Sequence, residues 1–259
     1  MADCFLMPRV SAATKDILAE VSRLPFHTVV ELETPDGRQL FVLGESHVKT
    51  SAAAGRCHRA VQAFSLRGVE RLQRDEVFAG SLLGGAFEGM RGGLQALSGG
   101  RLAGSTIEVA LGVPEGRTVE LERTERVPLR LHIGAGYLAV YTGLVLPALL
   151  VLPVWGGIPL LRPLRAAVKL LSLHLYALPL AYVLRDHPWA WAIQPLITIL
   201  TVRDGLLVEG IRRMLAQHDA VPALVIVGRA HVRGIVDGLL EHGFRRVDGP
   251  EQRRVAVED

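Results

Sequence analysis

The chain has few cysteines, few aromatic residues and no dense block of basic residues. Cys4 and Cys57 are the two cysteines among 259 residues, and their separation argues against a disulfide framework. Phe, Trp and Tyr make up 5% of the chain, and a net charge of +3 is spread along it. The interleaved basic and aromatic residues that are typical of nucleic-acid binding are therefore missing, and we expect no nucleic-acid partner.

The first residues, MADCFLMPRVSAATK, also lack the features of a secretory signal peptide. They have no basic start and no sustained apolar segment, and Asp3 and Pro8 interrupt them. We therefore expect the protein to lie in the cytoplasm, or at the cytoplasmic side of a membrane.

Charged residues are missing from one long segment, which runs from His132 to Leu161 without Asp, Glu, Lys or Arg. It is longer than the about 20 apolar residues that a bilayer-spanning helix needs. Two further apolar stretches, 170–184 and 188–202, help to raise the mean hydropathy to +0.30. We expect residues 131–202 to form an apolar helical insert, most simply a membrane hairpin. The alternative is a set of very apolar helices buried inside the protein or inside a homo-oligomer.

Outside this insert, the sequence alternates between helix and strand patterns. Residues 27–44 predict a β-hairpin, because two alternating apolar runs flank a turn at Pro35, Asp36 and Gly37. The Ala-rich residues 51–63 predict a helix, and the strand expected at 64–72 would complete a βαβ unit with a parallel strand pair. Further helices are expected at 12–23, 203–219 and 231–243, and further strands within 118–133 and at 222–228.

This order predicts an α/β protein with a mostly parallel sheet. Two pseudo-symmetric βαβ-type halves would build the sheet, and the apolar helical region would be inserted between them. The predicted division is a first half at 1–130, the insert at 131–202, a second half at 203–247 and a tail at 248–259.

Two segments repeat one pattern that is suited to a functional site. FVLGESHV (41–48) and VIVGRAHV (225–232) each contain a buried-type strand followed by Gly-x-x-His. Ligands of open α/β sheets bind beyond the carboxyl ends of the parallel strands. Gly44 and Gly228 would permit a tight turn or a close backbone approach, so that His47 and His231 reach one crevice. Imidazole is a common ligand of divalent metals and the usual acid or base at neutral pH.

Three further residues are candidates for the same site. Glu70 lies at the end of the next predicted strand and would complete a set of two histidines and one carboxylate. Glu45 would activate water or orient His47. Arg203 would stabilise an oxyanion or bind a substrate carboxylate. Each also has a simpler interpretation. Glu70 would be a solvated residue at a strand end, Glu45 would point outward, and Arg203 would end an apolar helix.

The order of the motifs resembles that of the TraB/Tiki superfamily, whose wider relatives include the erythromycin esterase and ChaN-like groups. The resemblance rests on GESH (44–47), VERL (69–72), RDGLLVEGIRRM (203–214) and GRAH (228–231). Glu45 stands where the TraB/Tiki pattern more often has Thr, and a Glu at this position is closer to the esterase and ChaN-like groups. The resemblance implies an α/β core and a divalent-metal site built from His47, Glu70 and His231. It also implies a peptide substrate, or a small ester or amide.

We therefore expect a membrane-associated, metal-dependent hydrolase, most simply a peptidase. Glu45 is the candidate general base, Arg203 is the candidate oxyanion contact, and the metal would be Mn, Co or Zn. One alternative is a non-catalytic protein that binds a ligand such as haem, or that organises a membrane, on the same fold. Another is an esterase that uses His as a base without a metal.

Overall fold

The computed structural model describes two compact units of the chain. The described residues are 9–45, 49–72, 102–103, 106–122, 128–140, 189–218 and 221–247, with 163, 166, 169–170, 173–174, 176–185 and 187. The sheet unit comprises the described parts of Met1–Gln73, Gln95–Arg123 and Asp204–Asp259, and the second unit comprises those of Arg74–Leu94 and Thr124–Arg203.

The sheet unit contains a six-stranded mixed sheet. The strands of the described chain are β1 (Thr28–Glu33), β2 (Gln39–Glu45), β3 (Lys49–Thr50), β4 (Leu66–Leu72), β5 (Leu102–Ala103), β6 (Arg117–Glu122), β7 (Ala223–Gly228) and β8 (Arg245–Arg246). The sheet order is β6-β4-β7-β2-β1-β8, and β3 pairs with β5 separately. Strands β2, β4, β6 and β7 run parallel, whereas β1 is antiparallel to both of its neighbours. The predicted α/β class with a mostly parallel sheet is therefore confirmed.

Helices cover both faces of this sheet. They are α1 (Ala12–Ser22), α2 (Ser51–Gln62), α3 (Thr106–Gly112), the part of α7 (Ile197–Gln217) from Asp204 onward, and α8 (Arg229–Glu241). Alternate residues of a strand point to opposite faces. Phe41 and Leu43 accordingly pack in a core with residues of α1 and α2. Leu40 and Val42 pack in a second core with residues of α7 and α8. All residues of β2 and β7 are buried, as expected of strands that are covered on both faces.

The predicted hairpin is confirmed as β1 and β2. Their antiparallel register runs from Thr28 opposite Gly44 to Glu33 opposite Gln39. The turn places Gly37 at a φ of 85°, a left-handed conformation that costs glycine little because it has no Cβ atom.

The prediction that β2 and β4 form a neighbouring parallel pair is wrong in one respect. The two strands are parallel, but β7 lies between them and pairs with both. A completely apolar strand such as β7 is stable where both of its edges and both of its faces are covered, and the centre of the sheet provides this. The carboxyl ends of β2, β4 and β7 still lie at the same edge of the sheet.

The pseudo-symmetry of two halves stays a prediction. Alignment of the two motifs would place Gly44 beside Gly228, but the register pairs Gly44 with Val227 and Glu45 with Gly228. Helix α8 begins directly after Gly228, so that His231 lies in its first turn. Helix α2 begins only at Ser51, beyond His47.

The described part of the second unit is helical. It contains α4 (Leu129–Val140), α5 (Leu178–Val183), α6 (Ala190–Ile193) and the first residues of α7. Ala181, Ala190 and Ile197 form a small core. In the stretches that the structure describes, no helix combines the length and the apolar character that crossing a bilayer requires. Most of the charge-free segment, residues 141–161, lies outside those stretches, and the membrane hairpin stays a prediction.

Candidate functional site: a buried histidine between two carboxylates

Three buried side chains meet at the carboxyl end of β4 and β7. Nδ1 of His231 lies 2.6 Å from Oδ1 of Asp204, and its Nε2 lies 3.5 Å from Oε1 of Glu70. His231 is 4% exposed, and Glu70 and Asp204 are each 7% exposed. The structure therefore brings together two of the predicted site residues, Glu70 and His231. We call this group the Glu70–His231 site.

Local features of β4, β7 and α8 hold Glu70 and His231 in place. Glu70 follows Leu66 and Gly68 along β4 and shares their face, which packs against α7. The backbone N–H of Gly228 donates a hydrogen bond to the Glu70 carboxylate. Gly228 also caps the start of α8 and thereby places His231 in the first helical turn.

Two glycines allow close packing around the first turns of α8. A Cβ atom on Gly44 would overlap the Val232 side chain, because the start of α8 crosses closely over β2. A Cβ atom on Gly234, one turn after His231, would overlap the Asp204 carboxylate. Gly44 therefore serves close packing rather than a turn, which is one of the two roles that the sequence allowed for it.

The hydrogen bond to Asp204 decides which nitrogen of His231 has the free lone pair. A carboxylate is an acceptor only, so we assign a proton to Nδ1, and in the neutral ring the lone pair is then on Nε2. At 3.5 Å, the contact between Nε2 and Glu70 is longer than a hydrogen bond. Two ligands of a tetrahedral zinc-sized ion lie about 3.4 Å apart, given metal–ligand bonds of about 2.1 Å. The pair therefore has the spacing of two ligands on one metal, with Asp204 in the position of the carboxylate that orients a ligating histidine.

The structure does not show whether two other predicted residues, His47 and Arg203, belong to this site. His47 lies outside the described residues, and its role as a ligand stays a prediction. Arg203 directly precedes Asp204 on α7, and consecutive helical residues do not face the same way. Its role as an oxyanion contact also stays a prediction.

Glu45 points to the opposite face of the sheet. It shares that face with Phe41 and Leu43, and it is 1% exposed. Its two carboxylate oxygens accept the backbone N–H of Thr106 at 2.9 and 3.2 Å. The structure thus places Glu45 away from the face that holds Glu70 and His231, and its role as a general base stays a prediction.

Glu45 instead belongs to a second buried group, with His27 and Cys57. One ligand atom from each residue can be chosen so that all three atoms lie within 4.8 Å of one another. All three residues are buried, with exposures of 7% for His27, 1% for Glu45 and 0% for Cys57. A group of this composition could hold a metal ion.

Sequence reasoning missed Asp204, His27 and Cys57 as site residues. The register of the hairpin could have indicated His27, because it lies one residue beyond the Thr28–Gly44 pair and hence opposite Glu45. Asp204 and Cys57 lie on helices, and no local pattern shows which strand end each of them meets. Comparisons with protein-family models, with curated proteins and with solved structures found no match to this chain.

Proposed function

We propose that the protein is a membrane-associated, metal-dependent hydrolase that acts on a peptide or on a small ester or amide. The observation that supports this most directly is the geometry of His231, with Glu70 at ligand–ligand spacing and Asp204 behind the ring. His231 and Glu70 would hold the ion, and His47 is the third ligand that the sequence predicts. The resemblance of the motif order to the TraB/Tiki superfamily agrees with this proposal.

Neighbouring groups of the chain hold the two ligand side chains, His231 and Glu70, in position. Asp204 keeps the Nε2 lone pair of His231 directed toward Glu70, and the Gly228 N–H holds the Glu70 carboxylate. A bound divalent ion of this kind lowers the pKa of water and polarises a carbonyl group. Burial of the site makes such charge interactions stronger than they are in water. Mn, Co and Zn remain the candidate metals.

The proposal is tested by metal analysis and by hydrolysis of a peptide and ester panel with the purified full-length chain. We expect His231→Ala to lose one metal equivalent and hydrolysis, because it removes a ligand. Asp204→Asn should keep the site but weaken metal binding about 10–100-fold, as loss of a residue that orients a ligand does. His242→Ala is the matched control, since His242 is an exposed residue at the end of the same helix.

A chelator separates the proposal from its alternatives. Hydrolysis that stops with chelator and returns with added metal supports the proposal. Hydrolysis that survives the chelator but is lost in His231→Ala would instead indicate an esterase with a histidine base. A protein that binds metal or haem through His231 and hydrolyses none of the substrates would indicate the non-catalytic alternative.

A further inference from the structure

A second group of metal-ligating side chains lies on the other face of the sheet from the Glu70–His231 site. His27 directly precedes β1, Glu45 ends β2, and Cys57 lies on α2. Residues directly opposite each other in an antiparallel pair have their Cβ atoms about 4.5–5.5 Å apart and point to the same face. His27 and Glu45 lie one residue beyond the last pair of the β1–β2 register, Thr28 and Gly44, and continuing this register places them opposite each other. Helix α2 brings Cys57 into the core on the face of Phe41 and Leu43.

The hydrogen bonding of the His27 ring matches that of a metal ligand. Its Nδ1 lies 2.8 Å from the carbonyl oxygen of Pro25, which requires a proton on Nδ1. In the neutral ring Nε2 then has the lone pair, and in the described part of the chain this buried atom has no hydrogen-bond partner. Metal-ligating histidines usually donate their other ring N–H to a carbonyl or carboxylate in this way. Buried polar atoms are otherwise almost always paired, so the arrangement points to a ligand.

The other two side chains, Glu45 and Cys57, would supply an oxygen ligand and a sulfur ligand. Thr106 N–H holds the Glu45 carboxylate from one side, so that its position does not depend on the ligand. A carboxylate and a thiolate together have two negative charges, which a divalent cation would balance in a site that water does not reach. A set of nitrogen, oxygen and sulfur donors suits Zn²⁺, whereas Ca²⁺ and Mg²⁺ select oxygen ligands.

We infer that His27, Glu45 and Cys57 form a structural binding site for a zinc-like divalent cation. The ion would connect the start of β1, the end of β2 and helix α2. Binding therefore stabilises the folded chain, and it releases the thiol proton of Cys57. This site lies on the opposite face of the sheet from Glu70 and His231, and it includes neither of them.

Titration with Co²⁺ alone tests the inference, because only a thiolate ligand gives a thiolate-to-cobalt charge-transfer band in the near ultraviolet. The full-length chain, with its thiols reduced and metal removed, should show this band, with a final intensity that corresponds to one thiolate-bound cobalt per chain. The Cys4→Ser variant should keep the band and Cys57→Ser should lose it, since these are the two cysteines of the chain. His27→Ala should weaken the binding that gives the band by more than about 100-fold, since even a residue that only orients a ligand contributes up to that much.

Controls separate this site from the Glu70–His231 site. That site contains no sulfur, so His231→Ala should retain the full band even if it loses a second equivalent of metal. Zn²⁺ should raise the thermal midpoint of the wild-type chain and of Cys4→Ser. In Cys57→Ser, the part of this increase in thermal midpoint that comes from the His27, Glu45 and Cys57 site should be absent.

Two results would overturn the inference. One is the absence of the band in a wild-type chain whose Cys57 is shown by thiol titration to be reduced. The other is a band of undiminished affinity in His27→Ala, which would mean that the thiol binds cobalt without the cluster. If Cys57→Ser does not fold, the wild-type titration and His27→Ala decide the question.

Discussion

At the level of single residues, two buried histidines of the sheet unit have the same hydrogen-bond arrangement. Nδ1 of His27 faces the carbonyl of Pro25 at 2.8 Å, and Nδ1 of His231 faces Asp204 at 2.6 Å. Both partners are acceptors, so Nδ1 bears a proton in both rings, and the neutral form of each ring has its lone pair on Nε2. One acceptor beside each ring thus decides which nitrogen is available to a metal.

Asp36 in the hairpin turn supports a prediction about acid stability. Burial by itself would raise the pKa of Asp36, but hydrogen bonds from Thr34 and Arg38 and the charge of Arg38 outweigh it. The pKa of Asp36 therefore lies below its ordinary value of 3.8. A lowered folded-state pKa stabilises the fold above the unfolded pKa, and this contribution is lost as the pH falls through the folded value.

We therefore expect Asp36→Asn to be less stable than the wild type at pH 6, and the difference to shrink as the pH falls below the ordinary Asp36 pKa of 3.8. The carboxyl is 50% exposed, so solvent screening should keep the difference below about 1 kcal/mol. Urea unfolding of both proteins between pH 6 and pH 2.5 measures it. A difference that stays constant over this range would contradict the assignment.

At the level of elements, glycines determine how closely α7 can pack. A Cβ atom on Gly210 would overlap the backbone carbonyl of Leu121 in β6. Gly238 of α8 faces Val208 of α7 in the same close manner. Helix α7 is thereby held close to β6 and α8, and this close packing places Asp204 beside His231.

Two glycine substitutions on α7 should have opposite effects. Gly210→Ala should destabilise the fold by about 1–3 kcal/mol, because the backbone of β6 cannot give way without a shift of the helix. Gly205→Ala has nothing within 4 Å of the added Cβ atom and should stabilise the helix by about 0.5–1 kcal/mol. Urea unfolding checks both variants. Equal effects at the two positions would mean that contact with Leu121 does not limit the packing.

At the scale of the whole molecule, the exposed apolar side chains of the described residues are unevenly distributed. Large exposed apolar side chains concentrate in the second unit, where Tyr176 is 80% exposed, Val183 is 70% exposed and Trp189 is 66% exposed. Aromatic side chains of this kind are enriched where proteins meet the membrane interface. This distribution supports the proposed membrane association.

We expect the full-length chain to float with lipid vesicles in a density gradient. The double variant Val183→Glu/Trp189→Glu should float less, because charged side chains are disfavoured in the apolar part of the bilayer. Leu240→Glu is the control, since Leu240 is a partly exposed leucine of the sheet unit. A chain that does not float and forms a defined homo-oligomer, which the double variant dissociates, would favour the alternative of apolar helices buried between subunits.

The sequence by itself determined the hairpin, the strands β4 and β7 and most of the helices that cover the sheet, but not α3 or the two-residue strands. Alternating apolar residues around Pro35, Asp36 and Gly37 specify a hairpin, and the apolar run of β7 specifies a buried strand, because both signals are local. The same local signals placed Glu70 at the end of one parallel strand and His231 just beyond the end of another. These two residues could therefore be predicted to meet.

Tertiary structure alone decided which side chains complete each site. The insertion of β7 between β2 and β4, and its register of Glu45 opposite Gly228, depend on strand pairing over almost the whole chain. A strand residue points to one face or the other according to its register, and this put Glu45 with His27 and Cys57 rather than with His231. Asp204 reaches His231 only because α7 and α8 pack closely at Gly234, and such long-range packing leaves no local signal in the sequence.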